Sequence, residues 1–397
     1  MSGYTNEPPD EIFSSETRKL SSSSSMGYSS EPSNEIFTTP TRKLSSRSGR
    51  GSRKLSLLLG FLLFGVLVVG TIEVIFYPFF TQLQSANKPH ANQHAMITPT
   101  PTFTPTPTPK PFDPNVGAIL PTHRIVAFYA IPGAEATGPA YQLTTGMLSD
   151  LRAQAAVYQN LDPLHPVQPG IDLVASVPDG FPGPQGTYSH HLDPATIQSY
   201  IDFCQQNGLI LFLDLDFGLA PVKQELNFFL PYLEHYSFVQ LAVDPEWMFP
   251  RHDGIPGTNL SNVRASDLNP IIETLAELPM KYHVPRKVLL LHQYRPDGDG
   301  LKDPYNAGVA EIADKRDLLN DSRVDVVVHI DSVGGYKGDQ ADKTFQYNSW
   351  VGQDMQKYQN FRYGGFKMFY HIEAKTLMTP QQVLALKPPP LLITYGN

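Results

Sequence analysis

The chain has 397 residues, a formal net charge of −8 and a charged fraction of 17%. This acidic balance, without a basic stripe interleaved with aromatic residues, excludes a nucleic-acid partner because nothing in the pattern can neutralise phosphates. The single cysteine, Cys204, excludes an intrachain disulfide and a cysteine-based metal site.

Residues 1–54 form a Ser-rich tail with few aliphatic residues, which we expect to be disordered and cytoplasmic. A segment that begins at Gly3 recurs from Gly27, and each copy ends in Thr-Arg-Lys-Leu-Ser-Ser. Two polar units of this length cannot bury a core. The basic residues before each serine suit a kinase as a partner of the tail, and a simple solubilising tail is the alternative.

Residues 55–77 are almost wholly apolar, with Glu73 as their one charged residue, and are long enough to cross about 30 Å of hydrocarbon as one transmembrane helix. Lysine and arginine cluster before this segment and not after it, so the positive-inside rule predicts a cytoplasmic N-terminus and an extracellular C-terminal domain at the cell membrane. A cleavable signal peptide is the alternative. Residues 78–116 include a Thr-Pro alternation and are expected to form an extended extracellular linker.

Residues 117–397 have the apolar content for a core and the size of one (β/α)8 TIM-barrel domain. Eight continuous apolar runs predict strands that are covered on both faces, at 124–130, 171–177, 209–215, 238–243, 287–292, 324–330, 366–372 and 391–395. Helices are predicted between them at 143–158, 194–207, 221–235, 267–282, 306–320, 340–359 and 380–386. An open doubly wound sheet is the rival fold, but no Gly-x-Gly-x-x-Gly turn follows the first strand.

Polar residues follow the carboxyl ends of several of these strands, the rim at which barrel enzymes place their chemistry. Because side chains alternate faces along a strand, residues two positions apart are expected to share a face. The residues of this rim, in chain order, are Asp214, Asp216, Asp244, Glu246, His292, Gln293, His329, Asp331, His371, Glu373 and Tyr395.

A glutamate after the fourth strand and another after the seventh resembles the arrangement in the retaining clan A glycoside hydrolases. The resemblance implies that Glu246 is the acid/base and Glu373 the nucleophile of a two-carboxylate reaction. The sequence departs from that clan at Pro245, where an asparagine usually precedes the acid.

The segment from Asp244 to Trp247 is also similar to the end of the chitinase fourth-strand signature. That resemblance implies that Asp244, two residues before the catalytic glutamate, assists the reaction. The upstream aspartates of the signature are missing, with Val239 and Ala242 in their places. The two resemblances agree on Glu246.

The sequence therefore predicts a membrane-anchored extracellular protein, like a glycoside hydrolase, that acts on or binds a cell-surface or cell-wall glycan. We expect it to use acid/base chemistry with no metal and no cofactor. Substrate contacts are expected from Asp214, Asp216, His292, Gln293, His329, Asp331, His371, Trp247 and Tyr395.

Two alternatives stay open. A metal-dependent hydrolase in the same fold would take its ligands from the strand-end histidines and aspartates, although residues 127–130 of the first strand lack a His-x-His pair. A barrel without catalysis that binds a glycan as an adhesin is the other.

Overall fold

The computed structural model describes residues 111–259, 261, 263–293 and 312–397. The predicted tail (1–54), the predicted membrane helix (55–77) and most of the predicted linker (78–116) lie outside these residues. Across the described part of the chain, every helix is too short or too polar to cross a bilayer.

Eight parallel strands pair side by side into a closed barrel. The barrel strands are β1 (Arg124–Ala130), β2 (Val167–Pro178), β4 (Ile210–Leu215), β5 (Val239–Val243), β7 (Lys287–Gln293), β9 (Val324–Ile330), β10 (Tyr363–Phe369) and β11 (Leu392–Gly396). Each pairs with the next in this order, and β1 also pairs with β11, where Ile125 lies opposite Leu392. The predicted eight-stranded barrel is confirmed, and closure excludes the open sheet.

Helices cover the outside of the barrel between the strands. They are α1 (Thr145–Leu161), α2 (Pro194–Asn207), α3 (Val222–His235), α4 (Ala265–Tyr282), α5 (Asp339–Tyr347), α6 (Asp354–Tyr358) and α7 (Pro380–Leu384). Side chains fix where the first two begin, because Thr144 accepts a hydrogen bond from the Met147 N–H and Asp193 accepts one from the Thr196 N–H. Gly208 then ends α2 in the left-handed conformation that glycine adopts without strain.

Three short strands lie outside the barrel. Strand β3 (Ser189–His191) pairs antiparallel with the end of β2, and β6 (Val263–Arg264) pairs with β8 (Ile312–Ala313). The helix predicted at 306–320 is wrong over its described part, because residues 312–320 form β8 and a 3₁₀ turn at Lys315–Asp317. The helix predicted at 340–359 is interrupted by a π-helical turn at Asn348–Gln353.

The seventh barrel strand begins and ends three residues earlier than the sequence predicts. Its first half contains Gly364 and Gly365, which have no apolar side chain to signal a strand. Both sites need glycine, because a Cβ on Gly365 would overlap the His329 ring and one on Gly364 would overlap the Tyr347 hydroxyl. As a result His371 and Glu373 lie in the turn after β10 rather than on the strand.

The interior of the barrel has two layers of different chemistry. The layer toward the amino ends of the strands is an apolar cluster formed by Leu120, Ile125, Ala127, Ile210, Phe212, Ala242, Val288, Leu290, Val327 and Leu392. Continuing two residues at a time along the same strands reaches charged side chains at the carboxyl ends. That charged layer is the candidate site.

Candidate active site

Seven charged residues from six strands share the carboxyl-terminal half of the barrel interior. Hereafter called the interior cluster, they are Asp172, Asp214, Asp216, Asp244, His292, Asp331 and Lys367. All except Asp331 are buried, and the Asp331 side chain is only 13% exposed. Charged groups removed from water at this density have to share protons, pair with one another or hold a cation.

His292 lies at the centre of the cluster between carboxylates. Its Nε2 is 3.4 Å from Asp214 Oδ2 and 3.8 Å from Asp172 Oδ2, and its Nδ1 is 3.1 Å from Asp331 Oδ2. None of these three contacts has the alignment of a hydrogen bond. They are close contacts between ionisable groups that come from β2, β4, β7 and the residue after β9.

Lys367 neutralises the far side of Asp331. Its Nζ donates to Asp331 Oδ2 at 2.9 Å and lies 3.8 Å from the centroid of the Tyr129 ring. The carboxylate counters its charge and the aromatic face adds a cation–π contact. Burial lowers the pKa of Lys367, but Asp331 outweighs this and raises it to about 12, so the side chain is an ammonium ion.

Three carboxyl groups of the cluster have raised pKa values because burial disfavours their charged form. Desolvation, reinforced by Asp214, raises the pKa of Asp172 to about 8. Desolvation, reinforced by the charge of Asp244, raises the pKa of Asp216 well above its usual range. The pKa of Asp244 rises to about 6, again chiefly through burial.

Other members are held in defined charge states by their neighbours. Burial raises the pKa of Asp331, but Lys367 and His292 outweigh it and hold the pKa below its usual range. Burial lowers the pKa of His292, and the carboxylates of Asp214 and Asp331 reverse this and raise it. Next to the cluster, burial and the charge of His292 lower the pKa of His329, whose Nε2 lies 3.0 Å from Thr394 Oγ1.

Six of the residues that the sequence places at the rim come together in or beside this cluster: Asp214, Asp216, Asp244, His292, His329 and Asp331. Two others face away from it. Gln293 accepts from Lys315 Nζ at 3.1 Å, and the Tyr395 hydroxyl lies 2.8 Å from that of Tyr158 on α1. Both follow an inward-facing neighbour on their strand, so alternation puts them on the outer face.

Glu373 is a buried anchor for the loops beyond β10. It accepts hydrogen bonds from the backbone N–H groups of Gly334 at 2.9 Å and Phe369 at 3.2 Å, and it pairs with Lys343 of α5. These contacts satisfy the carboxylate and give no support to the nucleophile role predicted for it. His371, two residues earlier, is exposed at the surface.

Glu246 and Trp247 form a 3₁₀ turn, Pro245–Trp247, that leaves the end of β5. The Asp244 carboxylate caps this turn by accepting from the Glu246 N–H at 3.1 Å. Both Glu246 and Trp247 are half-buried, and the Trp247 ring packs against Gly257. The turn therefore places a carboxyl group and an aromatic ring just beyond the interior cluster.

Asp172 and Lys367 are the members of the cluster that sequence reasoning missed. Both lie within strands that were recognised, but one residue inside the predicted runs rather than at their ends. The available signal was a charged residue within a continuous apolar run, because such a charge needs a buried partner. Asp172, Asp214 and His292 are also the described residues that could hold a metal ion, with ligand atoms within 4.8 Å of one another.

No protein-family model matches the chain, and no curated protein matches its sequence. Among solved structures, it is similar to a GH5-4 broad specificity endoglucanase from Clostridium longisporum, with a TM-score of 0.34 and 10% identity over 64% of this chain and 76% of that one. The TIM-barrel fold expected from the glycoside hydrolase resemblance is confirmed, and the pairing of this chain's own strands shows it.

Proposed function

We propose that the barrel hydrolyses a glycan by acid/base chemistry at the carboxyl ends of β4 and β5, with Asp244 as the proton donor. The observation that carries the proposal is a buried carboxyl group at the end of a barrel strand whose pKa is raised to about 6. A carboxyl group tuned in this way keeps its proton up to about pH 6, well above the range of an ordinary aspartate, and can give it to a leaving oxygen.

A second carboxyl group lies on the neighbouring strand. The Asp244 N–H donates to the Leu215 carbonyl at 3.3 Å, which brings Asp216 level with Asp244. Ser176 fixes the Asp216 backbone from the other side, because the Ser176 hydroxyl donates to the Asp216 carbonyl at 3.0 Å. Glycoside hydrolysis needs one carboxyl group that protonates the glycosidic oxygen as the C–O bond breaks and one ionised carboxylate that assists attack on the anomeric carbon. Because the raised pKa of Asp216 keeps it protonated, Asp216 belongs to the proton-donating side of the site, and the second role needs an ionised carboxylate of the cluster such as Asp331, whose pKa lies below its usual range.

Aromatic side chains on the same rim support a sugar as the substrate. Trp247 follows Asp244 by three residues, and Tyr336, in the loop after β9, is 47% exposed. The faces of such rings stack on the apolar faces of sugar rings. Asp342 orients Tyr336 by accepting from its hydroxyl at 3.1 Å.

The extracellular location is part of the proposal and rests on the sequence of residues 42–116. A basic cluster, an apolar segment and a Thr-Pro linker in this order would hold the barrel outside the cell, within reach of wall or surface glycans. Protease added to intact cells should remove the barrel and spare the tail. The opposite pattern would exclude an extracellular substrate.

Activity of the full-length protein in detergent on aryl glycosides and wall polysaccharides tests the reaction. Asp244→Asn should lower turnover by about 10² to 10⁴-fold, since it removes the proton but keeps the shape. Activity of the wild type should also fall as the pH rises past about 6, where Asp244 loses its proton. The matched control is Asp325→Asn, because burial raises the pKa of Asp325 to about 6 as well, at the opposite end of the barrel.

Glu246→Gln, measured beside Asp244→Asn, separates the two candidate acids. If Glu246→Gln alone loses activity, the acid role moves to Glu246, as the clan A resemblance implies. Glycan binding without turnover in the wild type would replace the enzyme with a glycan-binding barrel.

A further inference from the structure

We infer that Asp172, Asp214 and His292 bind a divalent transition-metal ion inside the barrel. This site goes beyond the proposed acid/base reaction, which does not need it, and it differs from the sequence-based expectation of no metal. Strands β2, β4 and β7 each contribute one ligand, so the barrel itself sets the spacing of the three.

The distances between the three side chains fit one ion. His292 Nε2 is 3.4 Å from Asp214 Oδ2 and 3.8 Å from Asp172 Oδ2. Two ligands of a tetrahedral zinc ion, each bonded at about 2.0 to 2.2 Å, lie about 3.3 to 3.5 Å apart. The ligand atoms of Asp172 and Asp214 also lie within 4.8 Å of each other, so side-chain movements of about an ångström or less would complete the coordination.

The same atoms have no other partner among the described residues. Both carboxylate oxygens of Asp172, both of Asp214 and Nε2 of His292 make no hydrogen bond there. The three residues are 0%, 0% and 1% exposed, so bulk water does not solvate them. Buried polar atoms in folded proteins are almost always satisfied, and a cation that faces all three side chains would satisfy this set.

The groups behind His292 match the usual support of a metal-bound histidine. Its Nδ1 is 3.1 Å from Asp331, and Asp331 is fixed in turn by Lys367 at 2.9 Å. A histidine that ligates a metal commonly directs its second nitrogen to a carboxylate, which sets the ring orientation and makes the ligating nitrogen more basic. Here the nitrogen directed away from Asp331 is the one that faces Asp172 and Asp214.

The donor set indicates the class of metal. Two carboxylates and one imidazole suit Zn²⁺ or Mn²⁺, since imidazole disfavours Mg²⁺ and Ca²⁺ and the set contains no thiolate. Three protein ligands also leave a coordination position open for water or substrate.

The test is a binding titration of full-length protein, stripped of metal by chelation and dialysis, with Zn²⁺, Mn²⁺, Mg²⁺ and Ca²⁺. We expect one Zn²⁺ per chain by calorimetry and by elemental analysis, a rise in melting temperature, and weak or no binding of Mg²⁺ and Ca²⁺. Asp172→Asn, Asp214→Asn and His292→Gln should each weaken Zn²⁺ binding by about 100-fold or more. Asp331→Asn should weaken it by about 10 to 100-fold, as expected for a group behind the ligand.

His191→Gln is the matched control, because His191 Nε2 also contacts a carboxylate, that of Glu225 at 2.8 Å, but outside the barrel interior. It should bind Zn²⁺ as the wild type does. Circular dichroism shows whether each variant is folded, and Asp214→Asn removes a like charge from the cluster, so it should fold without metal. Wild-type affinity in folded Asp172→Asn and Asp214→Asn would overturn the site, as would a wild type that binds neither Zn²⁺ nor Mn²⁺. These readouts do not use glycan hydrolysis, so the proposed reaction can fail while the metal site holds, and the reverse.

Discussion

The amino-terminal half of the barrel interior is apolar, whereas the carboxyl-terminal half holds the interior cluster. The same strands build both halves: on β4, Phe212 belongs to the apolar layer and Asp214, two residues later, to the charged one. Burial of apolar surface stabilises a fold, while burial of several carboxyl groups opposes it. The difference teaches that stability and chemistry are separated along the barrel axis.

The largest expected effect is on stability, from a change in the apolar layer. Phe212→Ala should lower the free energy of unfolding by about 3 to 5 kcal/mol, because it leaves a cavity where a fully buried ring had been. Asp216→Asn, four residues away in the charged half, should change it by less than about 1 kcal/mol or raise it. The reason is that Asp216 already holds its proton, and an amide has nearly the same shape.

Denaturant unfolding at pH 7, with a chelator present, measures both variants. An equal loss of stability in Phe212→Ala and Asp216→Asn would contradict the separation of the two halves, because the charged half would then stabilise the fold as much as the apolar half does.

A second variant tests whether a charged residue just outside the barrel interior contributes more to the free energy of unfolding than the residues of the interior cluster do. Lys343→Met should cost about 3 kcal/mol, because it leaves the Glu373 carboxylate buried without its cation. Breaking a buried ion pair usually lowers the free energy of unfolding by about 3 to 5 kcal/mol. The loss here should lie near the lower end of that range, because the backbone N–H groups of Gly334 and Phe369 still donate to Glu373.

The double variant Lys343→Met, Glu373→Gln should recover most of that loss in the same unfolding measurement. It removes both charges of the pair together. A Lys343→Met protein as stable as the wild type would show that Glu373 is not an anchor, and would return it to the candidates for catalysis.

The sequence predicted the barrel because its strands are covered on both faces, which produces continuous apolar runs that need no knowledge of tertiary contacts. It also predicted the faces of Asp214, Asp216, His329 and Asp331, since alternation along a strand is local. The features that the sequence predicted wrongly are those that depend on tertiary contacts. The start of β10 is hidden in Gly364 and Gly365, whose places are set by the Tyr347 hydroxyl and the His329 ring.

The partners of a charged residue are equally invisible to the sequence. Glu373 and Asp244 both follow a barrel strand, but only the fold shows that α5 brings Lys343 to the first and that no cation of the described residues pairs directly with the second. Lys367 was passed over because one lysine inside an apolar run does not reveal that Asp331 lies 2.9 Å away.

The smallest predicted effect is the pH dependence that Asp244 adds to stability. Its pKa is about 6 in the folded protein, above the value near 4 of an unfolded aspartate, so the folded state holds this proton more tightly. The resulting stabilisation is fully present below about pH 4 and is lost as the pH rises through about 6. The difference between the two pKa values corresponds to at most about 3 kcal/mol, which Asp244 shares with the ionisable groups around it. Those groups are Asp214 on β4, Asp216 just after it, His292 on β7, Asp331 just after β9 and Lys367 on β10.

Unfolding free energies of wild type and Asp244→Asn, measured from pH 4 to pH 7, isolate this contribution. The wild type should lose stability relative to the variant as the pH rises, because an asparagine has no proton to release. Asp325→Asn tests the other half of the barrel, where burial also raises a carboxyl pKa to about 6 and Arg286 pairs with the charged form at 2.8 Å. Asp325→Asn should reduce the change of unfolding free energy between pH 4 and pH 7 but leave glycan hydrolysis intact. Asp244→Asn should reduce both that change and the hydrolysis. If Asp244→Asn followed the pH dependence of the wild type, Asp244 would have an ordinary pKa, and its assignment as the proton donor would fail.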